Sequence, residues 1–96
     1  MAMESMACRT PLVSTRTGWP IEGVRDGING YLVDVDDVNG AFAAVSKVLD
    51  LSEESWLEMS ENACKSVAHC SWDESCRLFE ASLFRICENA SHLAKI

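Results

Sequence analysis

Along the first third of the chain, apolar residues come in short bursts broken by Gly, Pro and polar residues, whereas beyond Asp36 they recur every three or four positions. The first pattern predicts short strands joined by loops, and the second predicts amphipathic helices. A helix over Met1 to Ala7 leads through a turn at Arg9-Thr10-Pro11 into an apolar strand beginning at Leu12 and reaching Ser14 or Thr15. A loop carrying Gly18, Pro20 and Gly23 follows. The run Asp26-Gly27-Ile28-Asn29-Gly30 then makes a tight reversal, with Gly and Asn tolerating positive φ, before a second strand from Tyr31 to Val33. The connection between the strands is too long for a hairpin and suits a parallel crossover.

Three helices are predicted from Asp37 to Ile86. Asp36 or Asp37 caps the first, whose apolar positions are Val38, Ala41, Phe42, Val45, Val48 and Leu49; Gly40 within it costs about 1 kcal/mol relative to Ala. The second opens near Ser52, has Glu53 and Glu54 in its first turn, carries Trp56, Met59, Ala63 and Val67 on one face, and ends near His69-Cys70. Ser71 and Glu74 have capping-box spacing, and the third helix is expected to bury Trp72, Cys76, Phe79, Leu83 and Ile86 as a single stripe. The fold class this predicts is α/β: two parallel strands with flanking helices.

Composition narrows the function. With 96 residues, 48% of them hydrophobic and 24% charged, the chain reads as one globular domain or a piece of one. The net charge of −7 is unevenly spread. Arg9, Arg16 and Arg25 balance Glu4, Glu22 and Asp26 before Val33, and the excess acid falls on the helices. Such a surface repels phosphate backbones and anionic lipid, so no nucleic acid partner and no direct membrane contact are expected. Five Cys, an odd number with no C-x-x-C pair and no signal peptide ahead of them, fit a reduced, cytoplasmic setting. The sequon at Asn89-Ala90-Ser91 is read as chance.

The run Glu4-Ser5-Met6-Ala7-Cys8, with Thr10-Pro11 behind it, resembles the E-A-M-A-C-G-T-P signature in the C-terminal domain of GT-B fold glycosyltransferases of family 4, the glycogen-synthase-like and sucrose-synthase-like enzymes. Asp26-Gly27 and Asn29-Gly30 before an apolar strand match that family's D-G-x-N-G-x-L-V, and the two motifs stand at the family's usual separation. The resemblance implies that residues 1–96 are the C-terminal part of a Rossmann-like sugar-nucleotide-binding domain, with a Gly-rich loop and a first essential Glu upstream of Met1. It also implies that Glu4 is the second Glu of the family's pair, accepting hydrogen bonds from the ribose hydroxyls of a nucleotide diphosphosugar, a task suited to a carboxylate because it takes two O–H donors at once. Departures from the signature are Arg9 where the family has Gly at the helix end, and Gly18-Trp19-Pro20-Ile21-Glu22 in place of G-G-I-P-E. By itself Glu4 reads as an ordinary solvated helix residue.

The expected function is therefore a fragment of a transferase that moves a sugar from a nucleotide diphosphosugar to an acceptor, inactive alone and binding its donor weakly. The alternative is a stand-alone interaction module that pairs through its helices or through the open strand edge at Leu12 to Thr15, with itself or with a full-length enzyme. No cofactor or metal is expected. Cys64, His69, Cys70 and Cys76 match no common zinc spacing, Cys64 and Cys76 sit at helical core positions, and adjacent His69 and Cys70 side chains are expected to diverge. Trp19 is either a packed anchor or a lid over a ligand.

Overall fold

A short helix, α1 (Ala2–Ala7), ends in a turn that its own sequence discourages. Arg9 adopts φ 64, the left-handed conformation usually left to Gly. In return, the Arg9 and Thr10 amides donate to the carbonyls of Met6 and Ser5, at 3.0 and 3.1 Å, the paired bonds of a Schellman motif. The side chain is held by an ion pair with Glu61. This turn aims the chain into strand β1 (Leu12–Thr15). The computed structural model describes residues 1–94.

After β1, the segment read as an irregular loop contains one turn of helix, α2 (Pro20–Gly23), with Pro20 at its first position, where a missing N–H costs nothing. Strand β2 (Gly30–Val33) starts one residue earlier than the sequence pattern suggests. It pairs with β1 in parallel, Leu12 opposite Gly30 and Thr15 opposite Val33, as the long connection requires. Gly30 is dictated by this pairing, since a Cβ there would lie 1.9 Å from the Leu12 carbonyl oxygen. Asp26 fixes the register from the other side by accepting the Leu32 amide at 2.8 Å.

Three helices complete the described chain: α3 (Val38–Leu49), α4 (Glu53–Val67) and α5 (Trp72–Ala94), the last running well beyond Ile86. Each opens on a side-chain cap, with Asp37, Ser52 and Ser71 accepting the amides of Gly40, Ser55 and Glu74 at 2.9, 3.2 and 3.0 Å. Gly40 is more than a weak point, because a Cβ there would sit 2.2 Å from an Asp37 carboxylate oxygen and obstruct the cap. Only half of the expected capping box forms at Ser71. The Glu74 carboxylate turns instead to Arg77, at 2.9 Å from its Nε.

The core lies between α1, α4 and the strands. Met6, Val24, Ala63 and Val67 are buried there, with Met3, Leu12, Trp19 and Leu32 packed around them. α4 also ties down the end of α1: Ser60 donates to the Arg9 carbonyl, and the Cys64 thiol approaches the Ala7 carbonyl at 3.8 Å. α3 packs on the strands through Ala44. Lys47 adds a cation–π contact, its ammonium 5.5 Å from the centre of the Tyr31 ring.

Two predicted stripes are not buried. Val38, Phe42 and Leu49 of α3 face solvent, because only the narrow edge of that helix with Ala41, Ala44 and Val48 meets the sheet. The stripe of α5 is exposed throughout, Trp72, Phe79, Leu83 and Ile86 included, and Cys76, expected at a core position, is exposed with it. The physical reason is geometric: past its first turns α5 leaves the body and meets nothing to pack on among the described residues. The radius of gyration is accordingly 18.4 Å, against roughly 12 to 13 Å for a compact chain of this length.

Candidate functional site

Glu4 stands in the first turn of α1 with its side chain in solvent. It borders an open cleft of about 530 Å³ between α1, the end of α4 and the first turns of α5, which His69, Cys70, Trp72, Glu74 and Leu78 also line. The Glu74 carboxylate accepts hydrogen bonds from Arg77, which hold its pKa below the ordinary value. With the exposed Glu4 carboxylate beside it, the cleft offers hydrogen-bond acceptors for hydroxyl groups on an otherwise largely apolar wall.

His69 and Cys70 do not diverge as their adjacency suggested; Cys70 Sγ lies 3.8 Å from His69 Nε2. The chain is leaving α4 there, in a turn closed by the Cys70 amide on the Val67 carbonyl, and this bend swings the two side chains to one side.

A second open cleft, also of about 530 Å³, lies between α2, the reversal and α4. Trp19, Arg25, Ile28, Lys65, His69 and Asn29 contribute to its wall. Trp19 is half-buried against the core with its ring over Gly23, where a Cβ would come within 2.4 Å of it. It is therefore a packed anchor that also borders a cleft. Asn29, which sequence reasoning treated as a turn residue, does more. It is buried, accepts the Arg25 amide at 2.8 Å, and donates to the Gly23 carbonyl at 2.9 Å and to Ser66 Oγ at 2.8 Å. One side chain thus latches the reversal to α4, a long-range role that local spacing does not reveal. The carboxyl ends of the parallel strands, where α/β sheets usually hold ligands, carry Thr15, Arg16, Thr17 and Asp34, with Arg16 bonded to Asp34 at 3.3 Å.

The Glu4 helix, its Schellman turn, the two parallel strands and the Asp26 to Gly30 reversal all fall within residues 1–66, which match the model of the glycosyl transferases group 1 family. The chain belongs to the group 1 glycosyl transferases. Its α/β architecture is that of the C-terminal part of a group 1 domain. Among curated relatives it is 35% identical over 75 residues to sucrose-phosphate synthase 4 of Arabidopsis thaliana, covering 78% of this chain and 7% of the plant protein. It is 37% identical over 75 residues to a D-inositol 3-phosphate glycosyltransferase of Corynebacterium jeikeium, 78% of this chain and 18% of that one. With the sucrose synthase of Acidithiobacillus caldus it shares 32% identity over 69 residues, 69% of this chain and 9% of the relative. The group 1 chain described here thus spans under a fifth of each of these relatives. No solved structure matches it with statistical significance. Among the described residues, no helix is long and apolar enough to cross a membrane.

Proposed function

We propose that residues 1–96 form part of the donor-binding domain of a retaining, GT-B type hexosyltransferase of family 4, resident in the cytoplasm, whose donor is a nucleotide diphosphosugar. Glu4 accepts the ribose hydroxyls of that donor. The observation that carries this reading is the placement of Glu4: an ionised, exposed carboxylate on the wall of a cleft, on a helix whose Schellman turn leads directly into the parallel strands. The relatives named above, synthases of sucrose or its phosphate and an inositol-phosphate glycosyltransferase, support a sugar donor without singling one out.

By itself the chain holds such a donor weakly and turns none over. The cleft at Glu4 presents Glu74 beside Glu4 and, among the described residues, no Lys or Arg on its wall, a poor setting for a diphosphate. Two hydrogen bonds to ribose, each of net value about 1 kcal/mol, do not offset an association cost of at least about 4 kcal/mol. Affinity is then millimolar or weaker.

The test is a graft. With residues 1–66 of this chain, the stretch that matches the family model, put in place of the corresponding segment of the Arabidopsis thaliana relative, the chimera retains sugar transfer. Glu4→Gln in it costs at least tenfold in kcat/KM, while Glu22→Gln costs little, because Gln keeps one acceptor oxygen but loses the charge that strengthens both bonds, worth about 1.5–3 kcal/mol. Equal losses for the two variants remove Glu4 from its role.

A further inference from the structure

Most of the described Lys and Arg side chains have a counterpart within the fold. Arg9 pairs with Glu61, Arg16 with Asp34 and Arg77 with Glu74, while Lys47 lies over the Tyr31 ring. Arg25 and Lys65 are exposed and have no ion-pair partner among the described residues. Both line the cleft of about 530 Å³ between α2, the reversal and α4, on a chain whose net charge is −7. One carboxylate, Glu22, shares the wall with them.

The two cations are held at this cleft by the latch that joins the reversal to α4. Asn29 accepts the Arg25 amide at 2.8 Å and donates at 2.8 Å to Oγ of Ser66, the residue after Lys65, so one buried side chain ties both cation-bearing segments together. Asn62 Nδ2 adds a second tie to the Ile28 carbonyl at 3.2 Å, which leaves the Asn62 amide oxygen open to a hydroxyl donor. Trp19 is fixed as well, its ring packed over Gly23 and against the core. Walls held in this way lose little freedom when a ligand enters.

We propose that this cleft binds a small phosphate monoester whose organic part presents a flat face. Arg25 and Lys65 take the phosphate, Trp19 and Ile28 take the flat face, and Asn62 meets a hydroxyl at its edge. The inference does not rest on the glycosyl-transfer reading, and among the described residues the cleft shares only His69 with the one at Glu4. Size and charge choose the ligand. Inorganic phosphate alone leaves the apolar wall untouched, a neutral sugar or base leaves both cations unused, and a polyanion is repelled by the acid excess of the chain. A sugar ring and a nucleobase both offer a flat face, and the test separates them.

Fluorescence of Trp19 reads the occupancy of the cleft. In the full chain carrying Trp56→Phe and Trp72→Phe, both at exposed positions, Trp19 is the remaining tryptophan. The probes are ribose 5-phosphate and adenosine 5′-monophosphate, which differ by the base. At least one is expected to quench Trp19 saturably, with half-saturation below about 1 mM, and the tighter of the two names the source of the flat face. Ribose, adenosine and inorganic phosphate bind at least about fivefold more weakly than that ester. Arg25→Gln and Lys65→Gln, both at exposed side chains, each weaken it by at least about fivefold, the loss of one charge-assisted contact, with the near-ultraviolet circular dichroism unchanged. Saturation by neither ester, an unphosphorylated probe or inorganic phosphate binding within that factor of the ester, or a smaller loss in either variant would each overturn the proposal.

Discussion

Helices α4 and α5 are written in the same way and end differently. Each opens on a Ser cap with acids in its first turn, and each repeats apolar residues at helical spacing. In α4, Met59, Ala63 and Val67 are buried under α1 and the strands; in α5, Phe79 is 67% exposed and Ile86 63%. Periodicity in a sequence states that a face will be covered. It does not state what covers it, and among the described residues α4 finds its cover in α1 and the strands while α5 finds none.

The sharpest way to break this contrast is to strike the packed part. Gly30→Ala drives a Cβ into the Leu12 carbonyl oxygen and separates the strands; a loss of at least about 4 kcal/mol is expected, enough to unfold a unit of this size, visible as lost near-ultraviolet circular dichroism. Met6→Ala, at a side chain with no exposed surface, costs about 2–5 kcal/mol, while Phe79→Ala changes the stability by no more than about 0.5 kcal/mol and barely moves the thermal midpoint. Equal midpoint shifts for the two would erase the difference between the regions. Asn29→Ala, read by urea denaturation, falls between them at about 1–3 kcal/mol, since it strips partners from the Arg25 amide and the Gly23 carbonyl.

The smallest expected effect is one of pH, and it belongs to the arm. The hydrogen bond from Arg77 depresses the Glu74 pKa. The stabilisation this gives the start of α5 is present above the ordinary Glu value and fades as pH falls through the depressed folded value. Helicity of a peptide covering residues 71–94, followed by far-ultraviolet circular dichroism from neutral to acid, decreases over that window, and Arg77→Ala flattens the acid dependence.

Much of the packed unit was legible because its signals are local. Ser52 and Ser71 announce helix starts, and Asp37 does so with the help of Gly40. Pro and Gly bracket the strands, and the distance from Thr15 to Tyr31 excludes a hairpin. What was not legible depends on partners far along the chain. Arg9 looks wrong at a helix end until Glu61 and the two Schellman bonds are in view. Asn29 looks like a turn residue until Ser66 meets it. The burial of the α5 stripe was misread for the same reason, because an exposed heptad and a buried one have identical spelling. Glu4 is the converse case: its motif is readable by resemblance, while its surroundings, Glu74 and His69 on a shared wall, come from the bend between α4 and α5.

The central claim, a packed unit joined to an arm with no cover among the described residues, is tested most directly by amide hydrogen exchange. An isolated helix of this length is marginal in water, whereas a buried helix opens only with the whole unit. The account predicts that residues 59–67 of α4 exchange far more slowly than residues 76–93 of α5. Protection of α5 equal to that of α4 would contradict it.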